Sequence, residues 1–333
     1  MTIDELRREQ ALRKSKPLAY KKIKNYDKQL AEGKSIAMMQ LQPSYLCNFQ
    51  CSHCSISVFR KQKKQVLSIL EVADLCRQAD EYGLAQIDLT GGEPLVYPNL
   101  FEIIQAIRPE RFYLTVATNG WFLDMVMALL LKEAGVDRIL LSLDSLNEEE
   151  HDRFRNKPGS HQRAIQAIFS AKDAGLDLKI DSVITHQRVH SQELKDFLDF
   201  IKDMDARLEV QPPKLAGEWQ AKTDVLLTDD DYKFLEETYG IEFHTSAHYG
   251  RHFGCCAVKK IITVTAWGDV MPCIWMYYSL GNIRKTPLKD LIEKGLKIFG
   301  AYHPTCRMSQ DKDFMEEYQK NIAGKELPIE IPI

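Results

Sequence analysis

Three cysteines lie within eight residues in the segment Cys47-Asn-Phe-Gln-Cys51-Ser-His-Cys54. Thiolates are soft ligands that bind zinc or iron–sulfur clusters. A structural zinc site usually takes two separated pairs of ligands, and this triplet has no partner pair beside it. Three thiolates can instead hold a 4Fe–4S cluster and leave one iron open to a cofactor or substrate. The spacing therefore favours an iron–sulfur cluster, with zinc completed by His53 or a distant residue as the alternative.

Five further cysteines follow, and their use depends on the cellular compartment. The first residues, MTIDELRREQ, lack the apolar segment of a secretory signal, and no apolar run reaches membrane-spanning length. We therefore expect a cytoplasmic protein that does not enter the membrane. Disulfides are rare in that compartment, so metal or redox chemistry is the expected use of Cys255, Cys256, Cys273 and Cys306. Cys76 lies in an apolar helical stripe and is predicted to be a core residue.

The composition predicts a folded protein: of 333 residues, 44% are hydrophobic and 27% charged. A net charge of −3 argues against a general nucleic-acid binder. Residues 1–35 form a basic, helical N-terminal arm in this interpretation. Its cationic side chains are predicted to form a solvated helix face, with an anionic partner as the alternative. These side chains are Lys16, Lys21, Lys22 and Lys24.

Short apolar strands alternate with helical patterns from residue 36 onward, which predicts a parallel α/β sheet. Periodicity alone leaves a doubly wound sheet and a partial barrel open. Ser68 and Glu71 predict a capping box at the start of the first helix. After residue 215 the rhythm changes, and a β-hairpin is predicted around Gly268. The predicted strands are Ile36–Gln42, Gln86–Thr90, Tyr113–Thr118, Arg138–Asp144, Leu178–Ile184 and Leu208–Gln211, and the predicted later helices are Pro287–Phe299 and Lys312–Asn321.

The C-x3-C-x2-C spacing after the first strand, followed by Gly91-Gly92-Glu93 at the end of the second, resembles the radical SAM superfamily. The resemblance covers about residues 36–215 and implies a partial (β/α)6 TIM-type barrel. It implies that Cys47, Cys51 and Cys54 hold a 4Fe–4S cluster whose open iron binds S-adenosylmethionine. In that family the cluster donates an electron, and cleavage of S-adenosylmethionine gives a 5′-deoxyadenosyl radical. An electron donor such as flavodoxin or ferredoxin is implied as a partner.

The same resemblance assigns cofactor contacts along the barrel rim. His53 would contact the adenine, and the Gly-Gly-Glu segment would receive the methionyl ammonium group. Ser142 and Asp144, two apart on one strand and so expected to share a side, would reach the ribose. Arg155 is a candidate for the methionyl carboxylate, with a solvated helix arginine as the alternative, and Gln211 would face either cofactor or substrate. The implied cofactor contacts are His53, Gly91, Gly92, Glu93, Asn119, Ser142, Asp144, Arg155 and Gln211.

The C-terminal part, residues 216–333, resembles the auxiliary-cluster domains called SPASM and twitch, through the pattern C-x12-G-x4-C from Cys255 to Cys273. Only Cys306 follows, so twitch is the better match. The resemblance implies a small α+β domain with a second 4Fe–4S cluster on Cys273, Cys306 and one of Cys255 and Cys256, with Cys255 favoured. The leftover thiol is a candidate hydrogen-atom donor, with an inert packed thiol as the alternative. His244, His248 and His252 are interpreted as loop residues, with substrate contact and then cluster ligation as the alternatives.

The resemblance predicts the chemistry more sharply than the substrate. We expect hydrogen abstraction from a small polar biosynthetic substrate, leading to oxidation or epimerisation. Modification of a ribosomally made precursor peptide is the first alternative. A non-catalytic iron–sulfur scaffold is the second, and the intact Gly91-Gly92-Glu93 segment argues against it. No nucleic acid or membrane partner is expected.

Overall fold

The computed structural model describes residues 3–31, 37–243 and 254–332. The first six strands alternate with helices as the sequence predicts, and each strand agrees with its predicted range to within two residues. The strands are β1 (Met38–Leu41), β2 (Gln86–Leu89), β3 (Tyr113–Thr118), β4 (Arg138–Ser142), β5 (Asp177–Val183), β6 (Arg207–Gln211), β7 (Ile261–Val264), β8 (Asp269–Met271), β9 (Tyr278–Ser279), β10 (Gly281–Asn282) and β11 (Ile329–Glu330). The helices are α1 (Ile3–Ser15), α2 (Pro17–Ala31), α3 (Ser57–Arg60), α4 (Ile69–Tyr82), α5 (Leu100–Ile107), α6 (Met125–Glu133), α7 (Glu148–Arg155), α8 (Ser160–Asp173), α9 (Gln192–Asp203), α10 (Asp229–Tyr239), α11 (Leu288–Phe299) and α12 (Lys312–Ile322).

Strands β1 to β6 are parallel neighbours in sequence order, the arrangement of a (β/α) barrel. Within the described residues the sheet stays open, since β6 and β10 form its two edges. The predicted partial barrel is therefore confirmed. Helix α4 begins with the predicted capping box, in which Ser68 and Glu71 satisfy each other's backbone N–H groups. Cys76 on this helix is buried in the apolar core, as predicted.

The predicted C-terminal hairpin forms, and it extends the barrel sheet. Strand β7 pairs parallel with β1, with Met38 opposite Ile261, and β8 returns antiparallel to β7. The sheet therefore has nine strands in the order β10-β8-β7-β1-β2-β3-β4-β5-β6. The backbone hydrogen bonds between β1 and β7 thus cross the predicted boundary at 215/216. Strand β1 leads into the segment of Cys47, whereas β7 and β8 lie between Cys256 and Cys273.

The N-terminal arm is helical as predicted, but its expected solvated cationic face is wrong for Lys16 and Lys22. The Lys16 ammonium is buried and donates to Gly135 O at 2.7 Å and to the Asp137 carboxylate at 2.5 Å. Lys22 forms an ion pair with Asp80 at 3.0 Å. The arm packs against the barrel, where Lys22 meets Asp80 on α4 and Lys16 meets Asp137 just before β4, so these ammonium groups contact carboxylates instead of water. None of the helices in the described ranges is both long enough and apolar enough to cross a bilayer.

Candidate functional site

The first cysteine set, Cys47, Cys51 and Cys54, lies in the loop that follows β1. All three thiols are free, half-buried and line one cavity of about 220 Å³, called the main cavity below. The backbone N–H of Phe49 donates to Cys47 Sγ, and the Arg60 guanidinium donates to Cys54 Sγ, both at 3.4 Å. Burial raises the pKa of Cys47 to about 11, and the nearby Arg60 charge opposes that rise. These thiols therefore need a cation to become thiolates, which a metal centre supplies.

The arrangement of the thiols suits a cluster better than a single ion. Among the residues that the structure describes, no three His, Cys, Asp or Glu side chains are grouped closely enough to hold a metal ion. A single zinc ion needs its ligands converging on one point, whereas a 4Fe–4S cluster attaches each thiolate to a different iron. Three thiols spread around one cavity fit the second requirement.

The two glycines after β2 bring the cysteine loop against the sheet. A side chain at Gly92 would place its Cβ 1.9 Å from Leu46 O, and one at Gly91 would lie 2.5 Å from Ser44 O. The Gly92 N–H donates to Ser44 O at 3.0 Å, and the Glu93 N–H donates to Leu46 O at 2.8 Å. Both glycines therefore fix the segment just before Cys47, a structural role that the resemblance did not assign to them.

Glu93 joins the ends of β2 and β3. Its buried carboxylate accepts from Thr118 Oγ1 and Asn119 N, each at 2.7 Å, and from Leu95 N at 3.0 Å. Burial raises its pKa to about 7, although these hydrogen bonds favour the charged form. Asn119 in turn donates to Asn48 at 2.9 Å and so reaches the cysteine loop. Both Glu93 and Asn119 line the main cavity.

His53 forms an aromatic wall of the same cavity. Its ring stacks on Phe154, with ring centroids 4.2 Å apart, and lies 5.6 Å from the Trp219 ring. Burial lowers the pKa of His53 to about 3, so the ring is neutral at physiological pH. Its buried Nδ1 has no hydrogen-bond partner among the described residues. A planar ring with an unsatisfied nitrogen fits contact with a heterocycle such as adenine.

The prediction that Ser142 and Asp144 share a side is wrong. Ser142 lines the main cavity, whereas Asp144 lines a neighbouring cavity of about 410 Å³, called the side cavity below. The physical reason is that β4 ends at Ser142, so the alternation of a strand does not extend to Asp144. The Asp144 carboxylate is buried and accepts from Arg155 Nε at 2.6 Å and from Val183 N at 3.0 Å.

Arg155 is buried, so the solvated helix arginine considered as an alternative is wrong. Its guanidinium lines the main cavity and lies beside the Cys51 thiol. Burial opposes ionisation of Asp144, but the Arg155 charge wins and lowers the pKa of Asp144 to about 2. This buried pair therefore places a permanent cation at the cavity wall with its counter-ion behind it.

The cavity floor contains residues that the motif analysis missed. Gln211 lines it as expected, and Asp181 and Lys214 lie beside it. Asp181 Oδ1 is buried without a hydrogen-bond partner among the described residues, and burial raises the pKa of Asp181 to about 7. The alternation of polar and apolar residues along β5 was a usable signal, because it puts Asp181 on the same face as Asp177 and Lys179.

The second cysteine set, Cys255, Cys256, Cys273 and Cys306, comes from three distant segments of the C-terminal part. Three of the thiols are buried and Cys256 is half-buried. Burial raises the pKa of Cys273 to about 12, and the neighbouring Cys255 and Cys306 thiols raise it further. None of the four lines the main cavity as the structure describes it. His244, His248 and His252 lie outside the described residues.

Gly254 holds this set together. A side chain there would place its Cβ 1.5 Å from His303 O, and the next residue, Cys255, donates its N–H to that carbonyl at 2.8 Å. His303 lies three residues before Cys306, so this contact holds the segment of Cys255 beside the segment of Cys306. Three buried thiols and one half-buried thiol are a donor set suited to an iron–sulfur cluster.

Comparisons with known sequences give two family matches. A sequence model of the radical SAM superfamily matches residues 41–201. A model of an iron-sulfur cluster-binding domain, SPASM, matches residues 255–308, from Cys255 to just beyond Cys306. The two matches cover both cysteine sets, and they agree with the resemblance that the motifs gave.

Three curated relatives illustrate the range of similar proteins. A probable GTP 3′,8-cyclase of Methanothermobacter thermautotrophicus is 33% identical over 54% of this chain and 58% of that protein. An AdoMet-dependent heme synthase of Methanosarcina barkeri is 24% identical over 84% of this chain and 87% of that protein. A PqqA peptide cyclase of Granulibacter bethesdensis is 26% identical over 80% and 76% respectively. The chain thus spans little more than half of the cyclase and most of the other two.

Solved structures share the fold at low sequence identity. The native anSMEcpe structure with bound AdoMet has a TM-score of 0.63 and 18% identity, covering 86% of this chain and 96% of that one. Streptococcus suis SuiB bound to S-adenosylmethionine has a TM-score of 0.63 and 17% identity, covering 82% and 69%. Both likenesses concern the fold.

Proposed function

The chain belongs to the radical SAM superfamily and uses 4Fe–4S clusters and S-adenosylmethionine as cofactors; from that premise we propose that it oxidises a small polar substrate by hydrogen abstraction. The first cysteine set would hold the cluster that binds S-adenosylmethionine, and the second set would hold an auxiliary cluster. When bound, these groups supply the electron that cleaves S-adenosylmethionine, the 5′-deoxyadenosyl radical that takes a hydrogen atom, and an acceptor for the electron that completes the oxidation.

One observation carries this proposal: the thiols of the first set and an unfilled group of polar side chains open into the same cavity. Asp181, Gln211 and Lys214 lie on the side of the main cavity formed by the ends of β5 and β6. The Asp181 carboxyl and the Gln211 amide can recognise a substrate that carries hydroxyl or amino groups. The cavity chemistry therefore suits a small polar molecule.

The residues near the first set would bind and orient S-adenosylmethionine. Arg155 offers its guanidinium to the methionyl carboxylate, and Asp144 holds that guanidinium in place. Glu93 already accepts three protein hydrogen bonds, so it would chiefly fix the rim to which the ammonium group binds. Ser142 would reach the ribose, and the neutral His53 ring would face the adenine.

Oxidation is favoured over epimerisation by the position of the second set. An epimerase needs a thiol or similar donor that returns a hydrogen atom to the substrate radical. Neither Cys255 nor Cys256 is among the residues that line the main cavity. The hydrogen-donor role of either thiol stays a prediction, and an electron acceptor set apart from the substrate is the better use of the set.

Modification of a precursor peptide is the second candidate. The similarity to a PqqA peptide cyclase over 80% of this chain favours it. A peptide would have to present one side chain to the main cavity while the rest lies outside. The two candidates differ in the size of the molecule that stimulates turnover.

The test is release of 5′-deoxyadenosine from reconstituted protein given S-adenosylmethionine and a strong reductant. We expect slow release without substrate, and faster release when a low-molecular-weight filtrate of cell extract is added. Stimulation only by the retained peptide and protein fraction would favour the second candidate. A cluster-replete sample that releases no 5′-deoxyadenosine under any condition would contradict both.

A further inference from the structure

Lys214 is a buried lysine between the main cavity and the second cysteine set. Its side chain is only 4% exposed, although it belongs to the loop that follows β6. The ammonium group donates to Pro212 O at 2.8 Å and lies 5.1 Å from the centre of the Trp275 ring. Within residues 37–243 and 254–332 no carboxylate forms an ion pair with it. One carbonyl and one aromatic face do not compensate a buried charge.

Two other buried cations of the described residues have carboxylate partners. Lys16 is buried to a similar degree and has the Asp137 carboxylate 2.5 Å away. Arg155 is buried and has the Asp144 carboxylate 2.6 Å away. Buried cations are normally paired in this way, because an isolated charge in the interior is costly. Lys214 therefore needs a negative partner of another kind.

The groups that supply negative charge around Lys214 are the thiols of the second set. Burial lowers the pKa of Lys214, while thiolates at Cys306, Cys273, Cys256 and Cys255 would hold its proton on. Trp275, which the ammonium faces, lies two residues after Cys273. An iron–sulfur cluster with thiolate ligands carries net negative charge, and nearby charges help to set its reduction potential.

We propose that Lys214 is the counter-cation of the auxiliary cluster and raises that cluster's reduction potential, so that it accepts an electron more readily. This inference rests on the proposed function, since it requires a cluster on the second set. Lys214 is a positioning residue in this role: it binds no iron and acts through its charge. Its place at the cavity wall puts that charge between the substrate and the acceptor.

The test measures the midpoint potential of the auxiliary cluster by an EPR-monitored redox titration. The full chain carries Cys47→Ala, Cys51→Ala and Cys54→Ala, so that only the second set can bind iron. Lys214→Met removes the charge at nearly constant volume, and Lys214→Arg keeps it. Lys222→Met is the matched control, because Lys222 is exposed on the same segment.

We expect Lys214→Met to lower the potential by at least about 59 mV, a tenfold change in the reduction equilibrium of a one-electron couple. Lys214→Arg and Lys222→Met should each change that equilibrium by less than about twofold. An unmoved potential in a Lys214→Met protein that retains its iron overturns the role of Lys214 and leaves the auxiliary cluster standing.

Iron content distinguishes the remaining outcomes. If Lys214→Met binds no iron while Lys214→Arg binds a full complement, the charge is needed for assembly and the proposal holds. If both variants lose iron, the side chain matters through its shape and the proposal fails. If the protein with Lys214 intact already binds no iron at the second set, the auxiliary cluster itself is wrong.

Discussion

The two cysteine sets are built in opposite ways. The first is a single loop of eight residues, half-buried, and open to the main cavity. The second gathers thiols from three segments, is largely buried, and is absent from the described lining of that cavity. A loop with an open side can present one iron to a cofactor, whereas an enclosed set can exchange electrons but not ligands. The difference indicates a division of labour between a reactive centre and an insulated one.

The cations beside the two sets follow the same division. Two guanidinium groups, of Arg60 and Arg155, lie at the first set. Lys214 lies at the second set, where a compact ammonium without a carboxylate partner faces the thiols. The first pair can also bind an anionic ligand through the cavity. The Lys214 ammonium already donates to Pro212 O and faces the Trp275 ring.

A single cysteine substitution in the first set should give the largest effect, a loss of cofactor cleavage. Cys51→Ala removes one of three ligands, so release of 5′-deoxyadenosine should fall by more than about 100-fold, given that even indirect partners of metal ligands cost about 10–100-fold. Cys76→Ala is the control, because this buried thiol lies in the apolar core. It should retain its iron and its activity. Equal losses in both variants would contradict the assignment.

The same change in the second set should separate cluster content from cofactor cleavage. Cys273→Ala should lower the iron content from about eight to about four atoms per chain, as expected for one of two 4Fe–4S clusters. Slow release of 5′-deoxyadenosine without substrate should persist, because the first set is intact, while substrate oxidation should stop. Iron and sulfide analysis with product chromatography checks both. A protein that keeps about eight irons would show that Cys273 is not a ligand.

The buried ion pair between Asp144 and Arg155 should contribute strongly to the stability of the folded protein. Asp144→Asn leaves the Arg155 guanidinium buried without its counter-ion, which should cost about 3–5 kcal/mol of unfolding free energy. Asp74→Asn breaks an exposed pair with Arg77 and should cost about 0–1 kcal/mol. Denaturant unfolding of the two proteins gives the comparison. Similar costs would mean that water reaches the Asp144 pair.

Gly254 should contribute to folded-state stability at the second set. Gly254→Ala meets the His303 carbonyl at 1.5 Å and should cost about 2–4 kcal/mol, with loss of auxiliary iron. Gly240→Ala is a close control, because its φ of +63° matches the +62° of Gly254 while its surroundings are open. Strain alone should cost it about 1 kcal/mol. Unfolding and iron analysis test whether the contact or the dihedral angle decides.

The sequence predicted those structural features that depend on short residue spacings and local patterns. The loop from Cys47 to Cys54, the capping box at Ser68 and the hairpin around Gly268 are encoded within a few residues each, and the barrel strands follow from alternating patterns. The resemblance added a partial barrel, which the sheet order confirms. These features survive because no distant contact is needed to specify them.

Features that depend on long-range packing escaped prediction. Lys16 lies in a polar helical stretch, and only its contact with the Asp137 loop buries it. Asp144 continues the strand pattern in sequence, but β4 ends two residues earlier and turns it into the side cavity. The pairing of β1 with β7 joins segments more than 200 residues apart. Lys214 belongs to no sequence motif, and its proposed role depends on the thiols that the fold brings near it.

The smallest predicted effect is a pH dependence that belongs to the first set. Burial raises the pKa of Glu93 from 4.5 to about 7, so the folded protein holds a proton there that the unfolded chain has released. Stability from this group is full below pH 4.5 and is lost as the pH rises through 7. Glu93→Gln removes the titration, so its stability relative to the unsubstituted protein should improve by about 1–3 kcal/mol between pH 5 and pH 8. Unfolding of the cluster-free protein across this range measures the difference. A difference that stays constant with pH would show that the Glu93 carboxylate is already ionised in the folded protein, held charged by Thr118 and Asn119.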